Sequence, residues 1–259
     1  MVGGGRGSQI GHSHRDAATR DGLMTLVAGA FDSDAARGRE FGSSIGVAPE
    51  RCYADHASMF AAEAARPDGI EVVTIATPNS SHFAICKAAL LAGLHVVCEK
   101  PLTIHEADAL ELAELARAGH RVLGVMYGYT GYEMVQQARA MVRHGELGEV
   151  RVVQMQFAHG YHSAEVEGGD PGTRWRVTPA VSGPTYVIGD IGTHCYQMGA
   201  LISGLQVESL SCLRRSFVAS RAPLEDDAHV MIRYQGNAVG ALWASAVNIG
   251  SAHGFKVRV

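Results

Sequence analysis

Residues 71–101 read EVVTIATPNSSHFAICKAALLAGLHVVCEKP. Glu71–Ala76 is apolar and rich in β-branched residues, which favours a strand, and it stops at Thr77-Pro78-Asn79, where Pro and Asn shape a turn. Residues 80–92 are Ala-rich and of helical length, with Ser80 or Ser81 placed to cap the helix. Leu94–Cys98 is a second apolar run, ending in Glu99-Lys100-Pro101. Strand, helix and strand within ~30 residues make a βαβ unit, whose helical crossover sets the two strands parallel. Neither strand alternates apolar with polar, so both are expected to be covered on two faces.

The same rhythm extends outward. Leu26–Ala30 and Arg121–Met126 are further apolar strand candidates, and residues 33–42, 56–65 and 104–118 are further helices. In the last of these, Ala107, Leu110, Leu112, Ala113, Leu115 and Ala116 form an apolar stripe with Glu106, Glu111 and Glu114 outside it. Residues 1–126 therefore read as an α/β domain with a doubly wound parallel sheet. The pattern then changes. Glu133–Arg143 reads as a helix ended by Gly145, and strands follow at 150–158, 207–218, 228–235 and 238–247, the last two forming a hairpin through Gln235-Gly236-Asn237-Ala238. Residues 127–259 thus read as an α+β domain on an open, mainly antiparallel sheet. The segment 159–186, rich in Gly, Pro and His, is long for a loop in a compact domain and is a candidate functional loop.

Composition narrows the partners. Apolar residues are 47% and charged residues 19%, as in a folded globular protein. A formal charge of −4 makes the chain a poor candidate for holding a phosphate backbone by charge alone, so no nucleic-acid partner is expected. No run reaches the ~18 apolar residues of a membrane span. Cys52, Cys86, Cys98, Cys195 and Cys212 are odd in number and form no C-x-x-C pair, which reads as buried, reduced thiols in a cytoplasmic protein. The abrupt start at Met1-Val2-Gly3 reads as an N-terminus lacking part of its first strand.

Glycine is abundant, 31 residues, and concentrated at the start: Gly3-Gly4-Gly5-Arg6-Gly7-Ser8-Gln9-Ile10-Gly11 lies between a strand stub and a helix. Such a turn lets backbone N–H groups and the positive end of a helix approach a pyrophosphate. Gly5, Gly7 and Gly11 are spaced one residue wider than G-x-G-x-x-G. Asp32 follows the second strand, where an acid would bind the adenosine ribose hydroxyls. Its charge favours NAD, since a 2′-phosphate would be repelled; Arg37 and Arg39 read as solvated helix charges but leave NADP open.

Two further elements carry chemistry. Lys100 directly follows a strand, at the carboxyl end where open α/β sheets bind ligands. Its ammonium can hydrogen-bond a substrate hydroxyl and oppose negative charge. In Gly189-Asp190-Ile191-Gly192-Thr193-His194, a helix starting near Asp190 would put Asp190, His194 and Gln197 on one face. Ile191, Cys195, Met198 and Ile202 would pack by the opposite, apolar face.

Jointly these motifs resemble the Gfo/Idh/MocA oxidoreductase family over nearly the whole chain. The resemblance rests on the glycine turn, Asp32, Thr77-Pro78-Asn79 with His82, Glu99-Lys100-Pro101, Gly145-Glu146-Leu147-Gly148, Trp175-Arg176, and Asp190 through His194. It implies an N-terminal Rossmann domain and a C-terminal α+β domain whose open sheet mediates homo-oligomers. It implies Lys100, Asp190 and His194 as the catalytic set, meeting in a cleft between the domains. The implied reaction is hydride transfer from a secondary alcohol of a sugar or cyclic polyol to NAD, or NADP. Gly3, Gly5, Gly7, Ser8, Gln9, Ile10, Asp32, Thr77, Pro78, Asn79, His82, Glu99 and Lys100 are the expected cofactor contacts. Trp175 would offer a flat face to a sugar ring and Arg176 a donor fork, with Tyr129 beside them. The pairs His159/His162 and His12/His14 lack further ligands at matching spacing, so no metal is expected. Three departures stand out: the longer glycine turn, the absence of an arginine in Met126–Tyr132, and the stop at Val259, which reads as a C-terminal sheet lacking strands. An NAD-dependent glycosidase with no net redox change, or a non-enzymatic NAD-binding regulator, are the alternative readings.

Overall fold

The computed structural model describes residues 1–169 and 171–259. They form two units, Met1–Met126 and Tyr127–Val259.

In the first unit, chain order is β1 (Val2–Gly3), α1 (Gly11–Thr19), α2 (Ala35–Ser44), α3 (His56–Ala64), β2 (Val72–Ala76), α4 (His82–Leu91), β3 (His95–Glu99), α5 (Glu106–Ala118) and β4 (Leu123–Met126). Strands β1 to β4 lie side by side in that order, all parallel. Residues 26–30 do not form the regular strand expected. They make isolated parallel bridges instead, Val2 with Ala30 and Gly29 with Cys52. The bridges still put the 26–30 segment beside β1 and the Cys52 segment beyond it. The sheet therefore runs outward in both directions from β1, the arrangement of a doubly wound dinucleotide-binding fold. Val73, Ile75, Val96 and Cys98 of the central strands are fully buried, covered by Ile85, Cys86 and Ala89 of α4 and Leu112 of α5. Each of the buried Val, Ile and Leu side chains contributes about 1.5–3 kcal/mol. The apolar stripe of α5 is narrower than its sequence suggests: Leu112 and Ala116 are buried, but Leu110 is exposed. Neither Ser80 nor Ser81 caps α4. The Ser81 hydroxyl instead donates to Pro78 O and shares a hydrogen bond with the Thr77 hydroxyl, inside a 3₁₀ turn.

The second unit contains α6 (Glu133–Arg143), β5 (Val152–Ala158), the short helices α7 (Pro171–Arg174) and α8 (Pro179–Ser182), α9 (Thr193–Ser203), β6 (Val207–Arg215), β7 (Asp227–Tyr234), β8 (Val239–Ser245) and β9 (Lys256–Arg258). Its sheet has the order β6-β7-β8-β5-β9 and is antiparallel except between β5 and β8. The tight connection between β7 and β8 holds Gly236 at φ +86°, a backbone region that glycine enters without penalty. Strand β9 was too short to register in the sequence pattern. One face of the sheet carries Val153, Met155, Phe157, Ala228, Ile232, Leu242 and Ala244 into the core under α9. The loop 159–186 is tied to this sheet by Arg221, which is 1% exposed. Its guanidinium donates to the His162 and Ala164 carbonyls at 2.7 and 3.0 Å and pairs with Glu167 and Asp226. Four of the five cysteines are buried thiols; Cys212, on β6, is exposed, against expectation. Among the described residues no helix is long and apolar enough to cross a membrane.

Candidate active site

The glycine turn closes on itself. The Ser8 N–H donates to Gly5 O at 3.1 Å, and Ser8 Oγ accepts the N–H of Gly11 at 3.0 Å. A Cβ on Gly11 would collide with the Gly4 backbone, so this glycine lets α1 pack against the turn. Gly7, at φ +80°, has open space where a Cβ would project. At the end of the neighbouring segment Asp32 Oδ1 accepts the Asp34 N–H at 2.8 Å and pairs with Arg37 Nη2 at 2.9 Å. Desolvation alone would raise the Asp32 carboxyl, but the Asp34 N–H and the Arg37 charge outweigh it and hold it below the usual carboxylate range. Arg37 is an exposed helix charge, as the sequence suggested, and it also pairs with the acid. A charged Asp32 beside a tight glycine turn at a helix start suits a dinucleotide with a free ribose diol.

The other expected cofactor contacts of this unit sit at the carboxyl ends of β2 and β3. Thr77, Pro78 and Asn79 follow β2, with Asn79 8% exposed. His82 has no exposed surface; its ring nitrogens lie 2.8 Å from the Pro101 and Thr77 carbonyls. It therefore holds two loops together rather than offering a surface to a ligand. Glu99 is likewise engaged, Oε1 with His14 Nε2 at 2.8 Å and Oε2 with the Lys100 N–H at 3.2 Å. Lys100 is half-buried directly after β3.

In the second unit, Asp190 lies within a wide π-type turn, Ile188–Gly192, that runs straight into α9. Turns of this kind re-aim side chains and concentrate at functional sites. The expected division of faces is present. Ile191, Cys195, Met198 and Ile202 are buried, while Asp190, His194 and Gln197 are half-buried on the other side. The buried Gln197 Oε1 has no hydrogen-bond partner among the described residues. Arg176 Nε lies 3.6 Å from Asp190 Oδ2, and the guanidinium sits 4.6 Å over the Trp175 ring. One face of Trp175 is therefore covered by Arg176. His194 is ringed by aromatic edges, with Tyr129 at 4.9 Å and Tyr127 at 5.6 Å between centroids. Tyr127 hydroxyl bonds Thr193 Oγ1 at 2.7 Å, and Tyr129 hydroxyl bonds His253 Nε2 at 3.1 Å.

Sequence reasoning missed His253, Tyr127 and the structural use of His162. Their partners lie 24 to 124 residues away, and no local spacing reports such contacts. His162 Nδ1 bonds the buried Tyr186 hydroxyl, whose ring stacks at 5.7 Å. Burial first, then the Arg221 charge, pushes the His162 imidazole from 6.5 down to about 4. Burial also lowers His159 and raises Tyr186 and Tyr129. Between pH 6.5 and about 4 the unfolded chain carries a proton on His162 that the folded chain does not, so folding stability falls as pH falls through that window. Thermal melts should show a lower Tm at pH 5 than at pH 7, and His162→Gln should flatten the slope. Parallel slopes for the two proteins would contradict this assignment.

Comparison with known proteins places these features. Residues 1–127 match the family profile described as "Oxidoreductase family, NAD-binding Rossmann fold", and residues 135–259 match "GFO/IDH/MocA C-terminal domain". An uncharacterized oxidoreductase, YfiI of Bacillus subtilis (strain 168), is 50% identical over 262 residues, covering 100% of this chain and 67% of its own length. The crystal structure of an inositol dehydrogenase homolog from Azotobacter vinelandii complexed with NAD+ superposes with a TM-score of 0.98 at 57% identity, covering 100% of this chain and 67% of that one. A structure of an inositol dehydrogenase homolog from the same organism, complexed with NADH and myo-inositol, gives a TM-score of 0.95 at 56% identity, with 100% and 66% covered. The chain spans about two thirds of the length of these proteins.

Proposed function

The chain belongs to the Gfo/Idh/MocA family of oxidoreductases, with an NAD-binding Rossmann domain as its first unit, and on that premise we propose that it oxidises a secondary alcohol of a sugar or cyclic polyol. The observation that carries this reading is the face of α9 and the turn before it. A carboxylate, an imidazole and an amide oxygen project there beside Arg176, within a rim of Tyr127, Tyr129 and His253. Closely spaced donors and acceptors among aromatic edges suit a ring bearing several hydroxyls. The homologue bound to NADH and myo-inositol supports the same substrate class.

The residues present fit NAD: the turn from Gly3 to Ile10, with Gly7 facing open space, would hold the pyrophosphate and Asp32 the adenosine ribose. Thr77, Pro78 and Asn79 would line the same edge of the sheet. When bound, NAD supplies the hydride acceptor that no side chain can provide. The protein's own groups prepare the alcohol. His194 takes the hydroxyl proton on a ring nitrogen as general base. Lys100 donates a hydrogen bond to that oxygen and stabilises the negative charge that builds on it. Asp190, steadied by Arg176, accepts from a neighbouring hydroxyl and fixes the ring's orientation.

The test is turnover with NAD and a panel of polyols and aldoses, followed by NADH absorbance and repeated with NADP. Reduction of NAD by a polyol, with NADP poorer, is expected. Glycoside cleavage without NADH release, or tight NAD binding without turnover on any alcohol, would replace this reading by a redox-neutral glycosidase or a regulator. We also propose a homo-oligomer through the outer face of the second sheet. Met231 and Leu213 are exposed there, beside a His229–Trp243 stack anchored on Asp227. Light scattering that returns the monomer mass at micromolar concentration would exclude it.

A further inference from the structure

Behind the turn that carries Lys100, buried polar groups link three elements of the first unit. His14 lies on α1, one turn past the glycines, and is 5% exposed. Its Nδ1 is 2.6 Å from Thr74 Oγ1 on β2, and its Nε2 is 2.8 Å from Glu99 Oε1 at the end of β3. The second oxygen of Glu99 accepts the backbone N–H of Lys100 at 3.2 Å. With the ring proton on Nε2, the imidazole donates to Glu99 and accepts from the Thr74 hydroxyl, so both nitrogens are satisfied. Burying this imidazole against a carboxylate costs more desolvation than a leucine in the same space, so packing alone does not account for it. Its partners do. Helix α1 follows the glycine turn, β2 runs into Thr77-Pro78-Asn79, and β3 delivers Lys100.

We propose that His14 is a positioning residue for Lys100. Through Glu99 it fixes the backbone at which the lysine leaves the sheet, and through α1 it ties that backbone to the cofactor turn. The claim rests on the reading of Lys100 as the group that touches the reacting oxygen. It separates His14 from His12, two residues earlier, which is exposed and bonds the Ser13 hydroxyl.

The chain contains three lysines, at 87, 100 and 256, so the placement of Lys100 can be read directly. Reductive methylation with ¹³C-formaldehyde gives each dimethyl-lysine its own NMR signal in the cofactor-free protein. His14→Phe keeps a planar ring and loses both hydrogen bonds; His14→Gln restores a donor that can reach Glu99. In His14→Phe the Lys100 signal should move while those of Lys87 and Lys256 stay, and His14→Gln should bring it part of the way back. With NAD and the best polyol, kcat should fall about 10- to 100-fold in His14→Phe, as for a displaced catalytic group, with the KM for NAD nearly unchanged. If His14→Phe does not fold, Glu99→Gln, of equal size, should displace the Lys100 signal in the same way. An unmoved Lys100 signal in a folded variant overturns the proposal. A moved signal with Lys100→Met still fully active overturns the catalytic reading of Lys100 and leaves its placement by His14 standing.

Discussion

His194→Ala should lower kcat by roughly 10²- to 10⁴-fold, the range lost when a positioned general base is removed. Lys100→Met should cost about 10²- to 10³-fold, as for the loss of one donor to a developing oxyanion. Dinucleotide affinity, measured by quenching of intrinsic fluorescence, should be nearly unchanged in His194→Ala, because the glycine turn and Asp32 lie in the other unit. The two losses should not multiply in the double variant, since both groups are proposed to act on one oxygen and each depends on the other's geometry. Steady-state kinetics of the three variants check this. Full activity in both single variants would remove the proposed chemistry. A rise in KM with kcat intact would reduce the two residues to ground-state binding. The aromatic enclosure of His194 by Tyr127 and Tyr129 predicts that the imidazole has one preferred orientation, so substitutions at the tyrosines should act through it and more weakly.

Arg221→Met should destabilise the protein by about 3–5 kcal/mol, the usual cost of removing one member of a buried ion pair. Asp226, fully buried beside it, would keep the N–H groups of Phe217 and Val218 but lose its cation. Glu167 and the carbonyls of His162 and Ala164 would lose their donor too. Urea unfolding monitored by Trp fluorescence measures the change. Arg221→Lys should recover little, because one ammonium cannot make the forked contacts of a guanidinium. Stability within about 0.5 kcal/mol of the parent, the range of an ordinary surface change, would show that the loop is held by other contacts. The same variant should raise the KM for polyol, since Arg176, which pairs with Asp190, lies on the loop that Arg221 pins.

Much of this molecule is legible locally. The alternation of apolar runs with Ala-rich segments needs only neighbours in sequence, and it yields the parallel sheet of the first unit. The helix Glu133–Arg143 was readable to the residue, because Gly145 supplies the positive φ that ends it. The two faces of α9 followed from helical spacing alone. The segment 26–30 reads as a strand and forms only isolated bridges, for an equally physical reason. Apolar character reports burial, and this segment is buried at Ala28 and Ala30, but a strand also needs a continuous ladder, which it lacks. Residue type alone does not reveal that Arg176 covers one face of Trp175.

The sequence by itself determined the fold class, the glycine turn with its acid, and the residue types available for acid–base work. Periodicity, turn chemistry and short motifs are all written within a few residues of one another. Only the tertiary structure decided which polar groups support those residues. The partners of His14 and Tyr129, and those of Arg221 on the loop, stand 54 to 124 residues away in the chain, brought together by sheet order and loop closure. A hydrogen bond across such a distance leaves no period in the sequence, because its geometry exists only once the backbone between its ends has folded.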